Sequence, residues 1–124
     1  MVIRDADAWN SMWKKVHVGR WCGNDQFPPA PKIDFTREMV IVAAMGVRPS
    51  PSYAIVIDKA YDLGDKLEII VRSITRKCGM ELGVNTQPID LVRVPKADSP
   101  VAFRELTAVA ECKPDGSMVI RGLN

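Results

Sequence analysis

SYAIVIDKAYDLGDKLEIIVRSI, residues 52–74, contains two apolar runs joined by a short polar turn. In the first run Tyr53, Ile55 and Ile57 alternate with other residues, so they lie on one face of a β-strand. The second run alternates in the same way from Leu67 onward. The connecting DLGD has the aspartate and glycine residues that tight turns use. This stretch predicts a β-hairpin, and the rest of the fold follows from it.

Most of the chain beyond this hairpin also has the composition of β-strands. Short runs rich in β-branched residues recur, and each is bounded by proline, glycine or polar residues. The runs are REMVIVAAM (37–45), PIDLVRV (88–94), VAFREL (101–106), TAVAEC (107–112) and MVIRG (118–122). The turn signal KPDGS precedes the last of them and predicts a terminal hairpin. Brief connections favour antiparallel pairing between strands that are neighbours along the chain.

One helix is predicted at the N-terminus, over residues 5–18. Trp9, Met12, Trp13 and Val16 are spaced so that they form one stripe of an α-helix. Two tryptophans in that stripe bury a large area, so we expect the helix to be packed and not free.

These elements predict an α+β fold in a single domain, residues 1–124. The N-terminal helix packs on a mostly antiparallel sheet of six to seven strands, or on a sandwich or open barrel. An irregular, proline-rich segment at 19–33 connects the helix to the β region at 37–122.

The length, composition and net charge limit the classes of function that this chain could have. With 124 residues, 47% hydrophobic and 26% charged, the chain is typical of a globular domain. A net charge of +2, with scattered lysines and arginines, does not indicate nucleic-acid binding. No segment reaches the length of a membrane span, and the N-terminus does not read as a secretory leader.

Few residues occur in the spacings that are typical of catalytic or metal-binding sites. The single histidine, His17, has no ligand cluster around it in sequence, so we predict no metal and no cofactor. Three cysteines at unpaired spacings, Cys22, Cys78 and Cys112, favour buried, reduced thiols in a cytoplasmic protein. The alternative is that two of them form a bridge in an oxidising compartment, which would leave one over. Cys78 lies beside Arg76 and Lys77, which would lower its pKa if it were exposed, but no base is visible near it. We therefore expect a protein that is not an enzyme.

The turn GVRPSPSY, residues 46–53, is the strongest candidate for a binding surface. Pro49 and Pro51 each restrict φ and extend the residue before them, so the turn is stiff. A stiff loop loses little entropy on binding. Arginine and tyrosine, here Arg48 and Tyr53, are favoured at interface hot spots. The competing interpretation is a plain strand connector whose prolines end the strand ladder.

The order of these segments resembles a known family, the C-terminal domain of the protease complex subunit PrcB. The likeness runs from Asp5 to Phe103: a tryptophan-bearing helix, an Asp-Phe-Thr step into a Met-Val strand, a Gly-x-Arg-Pro turn ending in tyrosine, and a later Gln-Pro step. The matching residues are Asp34, Phe35, Met39, Val40, Gly46, Arg48, Pro49, Tyr53, Gln87, Pro88, Val94, Pro95 and Lys96. Pro51 and Ser52 stand where the family has two glycines, and Ile89 stands where it has an aromatic residue.

The resemblance implies a non-catalytic accessory subunit that associates with a protease or another protein. Relatives of this kind are often exported or lipid-anchored. Glycines permit positive φ and close backbone approach, so a binding role that depended on the family's two glycines would be altered here. The predicted partner-binding residues are Arg48, Pro49, Ser50, Pro51, Tyr53, Thr86 and Gln87.

Two other functions compete with this one. Trp9, Trp13 and Trp21 could line an apolar pocket for a small molecule between helix and sheet, although such clusters are more often plain core. A free strand edge, such as the one at residues 118–122, could pair with a second copy and form a homo-oligomer.

Overall fold

A computed structural model describes residues 1–17, 28–77, 83–115 and 117–121. This part of the chain forms one helix and seven strands. The helix α1 covers Ala6–His17. The strands are β1 (Val2–Ile3), β2 (Glu38–Ala44), β3 (Tyr53–Asp62), β4 (Leu67–Lys77), β5 (Ile89–Pro95), β6 (Val101–Cys112) and β7 (Met118–Arg121). The predicted α+β class is confirmed. The helix begins one residue later than predicted, and its predicted last residue, Val18, lies outside the described residues.

The strands are arranged in two sheets. The three-stranded sheet has the order β1-β2-β5, and the four-stranded sheet has the order β3-β4-β6-β7. Both predicted hairpins are present, since β3 pairs with β4 and β6 with β7 in antiparallel register. A bulge between Ile57 and Lys59 shifts the register of β3. No closed barrel forms in the described ranges.

The pairing of β4 with β6 differs from the sequence prediction. These two strands are parallel over their whole length, from Leu67 opposite Val101 to Lys77 opposite Glu111. The strand between them in sequence, β5, pairs in the other sheet. The chain therefore returns to the four-stranded sheet by a crossover, which places two strands parallel. Residues 101–112, predicted as two short strands, form the single strand β6.

Burial explains why β2 and β4 are central strands. Residues 39–43 of β2 are all buried, as expected for a run that is apolar on both faces. In β4 the alternating Leu67, Ile69 and Val71 are buried, and so is Ile70 on the opposite face. Each such aliphatic side chain contributes about 1.5–3 kcal/mol when it is buried.

The chain divides into two compact units. One comprises Met1–Ile41 with Arg93–Asp98, and the other comprises Val42–Val92 with Ser99–Asn124. Strands β2 and β5 each begin in one unit and end in the other. The helix belongs to the first unit and the four-stranded sheet to the second.

An aspartate turn leads the chain into β2. The carboxylate of Asp34 accepts hydrogen bonds from the amide and the hydroxyl of Thr36, and its carbonyl accepts the amide of Glu38 at 2.8 Å. The two bonds to the carboxylate, first from the Thr36 hydroxyl and then from the Thr36 amide, favour its charged form and lower the pKa of Asp34. The Asp-Phe-Thr sequence before β2 is thus explained by this turn, in which the aspartate and threonine side chains are bonded to each other.

The cysteine prediction is wrong for Cys112, which is exposed and disulfide-bonded. Spacing along the chain could not reveal this bond, because a disulfide depends on which cysteines the tertiary fold brings close together. Cys22 and Cys78, and with them the predicted reactivity of Cys78, lie outside the described residues. No helix in the described ranges combines the length and apolarity needed to cross a bilayer.

Candidate functional site

The proline turn leads from β2 to β3 and lies opposite a second loop segment. We call residues Gly46–Tyr53 the corner and residues Gly83–Pro88 the facing segment. The amide of Arg48 donates to the carbonyl of Thr86, and the amide of Thr86 donates to the carbonyl of Arg48, both at 2.8 Å. This pair forms an isolated antiparallel β-bridge. The bridge brings Arg48 and Thr86, 38 positions apart in sequence, into one site.

Gly46 allows the chain to leave β2 and enter this bridge. Its φ is +73°, in the left-handed region that glycine adopts without penalty. One residue earlier, the amide of Met45 donates to the carbonyl of Pro88 at 3.1 Å. The corner therefore begins where the strand pairing of β2 ends. The glycine of the Gly-x-Arg-Pro pattern supplies the left-handed backbone conformation at that point.

Ser50 is the internal anchor of the corner. It is only 1% exposed, although it is polar and lies between two exposed prolines. Its hydroxyl accepts the amide of Ser52 at 3.2 Å, and its carbonyl accepts the hydroxyl of Thr86 at 2.8 Å. The carbonyl of Ser52 in turn accepts the amide of Arg76 at 2.7 Å. Burial of Ser50 is thus compensated by hydrogen bonds.

These bonds also explain how the corner tolerates Pro51 and Ser52 in place of the two family glycines. No non-glycine residue in the described ranges has positive φ, so neither position needs the left-handed conformation here. Ser50 and Ser52 form a hydroxyl-mediated turn instead, in which a side chain supplies the acceptor. The chain thus turns before Tyr53 by means of a side-chain hydrogen bond instead of glycine conformations.

The side chain of Arg48 lies over Tyr53. The guanidinium carbon is 5.4 Å from the centroid of the tyrosine ring, within the range of a cation–π interaction. The Nε atom of Arg48 is buried and has no hydrogen-bond partner among the described residues. Arg48 and Tyr53 are themselves half-buried. The structure therefore brings together the two residues that the sequence selected as hot-spot types.

The remaining predicted residues form an exposed rim. Pro49, Pro51 and Gln87 are exposed, and Thr86 is half-buried at the bridge. Sequence reasoning missed two apolar members of this rim, Val47 and Val84, which are 62% and 57% exposed. Their signal was weak, because a single valine beside a polar loop is ordinary on protein surfaces.

The corner is positively charged. Residues 45–57 and 83–89 contain Arg48 but no aspartate or glutamate. Two further cations, Arg76 and Lys77, are exposed at the end of β4, next to the residue that pairs with Tyr53. A surface with this excess of positive charge favours acidic partners.

Trp9 and Trp13 of the alternative pocket are close together in the first unit. Their ring centroids are 5.6 Å apart, and the rings are tilted by 48°. The indole of Trp9 donates to the carbonyl of Pro31 at 2.9 Å, and that of Trp13 donates to Pro28 at 2.7 Å. Both indoles thus tie α1 to the proline-rich segment that follows it. Trp21 lies outside the described residues, and the pocket remains a prediction.

His17 is the last residue of α1. Within the described ranges, no three histidine, cysteine, aspartate or glutamate side chains cluster in a way that could hold a metal ion.

Comparison with known proteins gives one match. Residues 39–95 match the family described as PrcB C-terminal. This range includes β2, the corner, the β3–β4 hairpin, the facing segment and β5. The helix, the Asp34 turn and the strands after β5 lie outside it. No curated protein and no solved structure matches the chain. The resemblance to the PrcB C-terminal family is therefore confirmed for residues 39–95, just under half of the chain.

Proposed function

We propose that this chain is a non-catalytic accessory domain that binds a protein partner in a protease complex, and that the corner and the facing segment form its contact surface. The family match supports association with a protease complex, since the matching family is that of PrcB. It includes both segments of the proposed surface.

The arrangement of Arg48 carries the choice of this surface. The bridge to Thr86 holds its backbone, Tyr53 holds its guanidinium, and Nε still has no hydrogen-bond partner in the described part of the chain. A connector that only joined two strands would need none of these features. An arginine held in place beside an exposed apolar rim has the character of an interface hot spot.

Site-specific photo-crosslinking in the native cell tests this surface. A photoreactive amino acid replaces Val84 or Gln87 in separate variants, and the matched control replaces Leu63, which is 52% exposed in the β3–β4 turn. We expect the same protein, a protease or a subunit bound to one, to be cross-linked from Val84 and Gln87 but not from Leu63. Adding Arg48→Ala should abolish these cross-links. Equal cross-linking from Leu63, or cross-links that persist with Arg48→Ala, would overturn the proposal.

Self-association through a strand edge is a second candidate. Strand β7 lies at an edge of the four-stranded sheet, as this hypothesis requires. An edge strand presents backbone donors and acceptors that can pair with another chain. Light scattering over a dilution series is the test: a dimer that dissociates on dilution supports it, and a monomer at every concentration removes it.

We also propose that the chain is a single domain, as its sequence predicts. Because β2 and β5 run through both compact units, we expect the units to unfold together. Trp9 and Trp13 report on the first unit by fluorescence, whereas circular dichroism is dominated by the strands. Coincident urea transitions would support one domain, and two separate transitions would contradict it.

The disulfide bears on the cellular compartment. Disulfides persist in oxidising compartments and are rare in the cytoplasm. In place of the predicted cytoplasmic location, we therefore propose that the chain acts in an oxidising compartment. Alkylation of intact cells before lysis tests this: Cys112 should be protected from the reagent, and modification of Cys112 would restore the cytoplasmic interpretation.

A further inference from the structure

The guanidinium of Arg48 is an unused hydrogen-bond donor. It carries five N–H groups in a fixed plane. Its Nε atom is buried without a partner among the described residues, and its recorded contact is with the ring of Tyr53. An aromatic ring balances the charge but accepts hydrogen bonds poorly. The Nε–H donor of Arg48 is therefore not satisfied within the described part of the chain.

Asp58 follows the corner in β3 and Asp90 follows the facing segment in β5, and both carboxylates are engaged elsewhere. Asp58 forms an ion pair with Arg72 at 2.9 Å. The carboxylate of Asp90 accepts the amide of Ile57 at 2.7 Å and that of Leu91 at 3.0 Å. Neither carboxylate is thus committed to Arg48. An acidic group of another molecule would complement the positive charge of the corner.

The backbone of the corner favours a carboxylate over a phosphate. Phosphate sites usually combine cations with several free backbone N–H groups. Here Pro49 and Pro51 have no N–H, and the amides of Arg48 and Ser52 already donate to Thr86 and Ser50. The planar guanidinium of Arg48 has a geometry that matches the two oxygens of a carboxylate.

We propose that Arg48 binds an aspartate or glutamate side chain in an extended segment of the partner, with apolar neighbours of that residue contacting Val47 and Val84. This inference rests on the proposed function, because it names the chemistry that the corner recognises. The exposed cations Arg76 and Lys77 strengthen attraction to an acidic segment. The bridge to Thr86 and the ring of Tyr53 pre-organise the guanidinium, which lowers the entropic cost of binding.

Selection from a library of random peptides of about a dozen residues tests the inference without a known partner. Peptides are selected on the full chain, and their Kd is measured by fluorescence anisotropy. Each acidic residue of a selected peptide is then replaced by its amide. We expect one position at which this replacement weakens binding at least about tenfold. On Arg48→Met the same replacement should change Kd less than about twofold, because the pairwise interaction is already lost.

Further variants distinguish the planar geometry of the Arg48 guanidinium from its charge alone and from cations outside the corner. Arg48→Lys keeps the charge but not the planar fork, so it should recover only part of the affinity. Arg37→Met removes an exposed cation outside the corner and should leave Kd unchanged. Circular dichroism shows whether each variant is folded.

The outcomes distinguish the inference from the proposed function. If peptides bind through Val84 and Gln87 but the amide replacements have no effect, or have equal effects on Arg48→Met, the carboxylate inference fails and the proposed function stands. If no selected peptide depends on Val84, Gln87 or Arg48, both fail. A charge dependence that Arg37→Met reduces as much as Arg48→Met would also overturn the inference.

Discussion

The corner and the β3–β4 turn both reverse the chain with a glycine at positive φ, but they hold their shapes in different ways. In the β3–β4 turn the carboxylate of Asp62 accepts the amide of Gly64, and the amide of Leu63 donates to the carbonyl of Lys66. Every partner is within four residues, and residues 61–66 are all exposed. This turn is stabilised by its own sequence.

The corner depends on residues that are remote in sequence. Thr86 supplies two bridge hydrogen bonds and a hydroxyl bond, and Arg76 supplies an amide bond to Ser52. The corner also buries Ser50, and the buried Nε of Arg48 has no hydrogen-bond partner among the described residues. The β3–β4 turn is thus held by its own residues, whereas the corner, the proposed contact surface, is held by residues from distant segments.

The largest expected effect on stability comes from the two glycines. Gly46→Ala and Gly64→Ala each place a β-carbon at positive φ, where an added Cβ meets no atom within 4 Å. Only the backbone is strained, so each should cost about 1–2 kcal/mol in the free energy of unfolding, measured with urea. Only Gly46→Ala should also weaken binding of the selected peptides. Equal loss of binding in both variants would erase the functional distinction between the turns.

Loss of a long-range hydrogen bond should come next. Thr86→Val removes the hydroxyl donated to Ser50 and should lower the unfolding free energy by about 1 kcal/mol. Asp62→Ala removes a hydrogen bond within an exposed turn and should cost about half as much or less. Urea denaturation of both variants gives the comparison. A larger loss for Asp62→Ala would show that the corner does not depend on Thr86.

The contact between Arg48 and Tyr53 should have a smaller effect on stability. Tyr53→Leu removes the ring and should cost about 0.5–1 kcal/mol. Tyr61→Leu is the matched control, because Tyr61 lies on the same strand and is 44% exposed. The Arg48 Nε–H resonance, followed by NMR, should shift in Tyr53→Leu and not in Tyr61→Leu. An unchanged resonance in Tyr53→Leu would mean that the ring does not hold the guanidinium.

The smallest effect concerns acid stability of the local aspartate turns. Hydrogen bonds from Thr36 lower the pKa of Asp34, and hydrogen bonds from Ser117 lower the pKa of Asp115. Because the folded-state pKa is depressed, this stabilisation is present above the usual aspartate pKa of 3.8 and is lost as pH falls through the folded value. Asp34→Asn and Asp115→Asn should each lessen the loss of stability in that window, as measured by urea midpoints.

Hydroxyl removal provides the control for these turns. Thr36→Val and Ser117→Ala should raise the pKa of Asp34 and Asp115, respectively, toward its ordinary value in an NMR titration. Unchanged titration curves would mean that the hydroxyls are not the cause.

Local patterns predicted the elements that depend on local physics. The stripe of Trp9 and Trp13 predicted α1, alternation from Tyr53 and Leu67 predicted the hairpin, and the KPDGS turn predicted the pairing of β6 with β7. In each case the partners are near in sequence, so periodicity and turn residues contain the information. The same holds for the stiffness that Pro49 and Pro51 give the corner.

Tertiary structure alone decided which distant segments meet. The parallel pairing of β4 with β6 and the bridge from Arg48 to Thr86 both join residues far apart along the chain. Their pairing depends on the placement of β5 in the other sheet and on the burial of β2 and β4. The amino-acid sequence thus determined the strands, the helix and a proline-rich turn, whereas long-range packing placed Arg48 of that turn against Thr86 and Tyr53, because those contacts need segments that only the fold brings together.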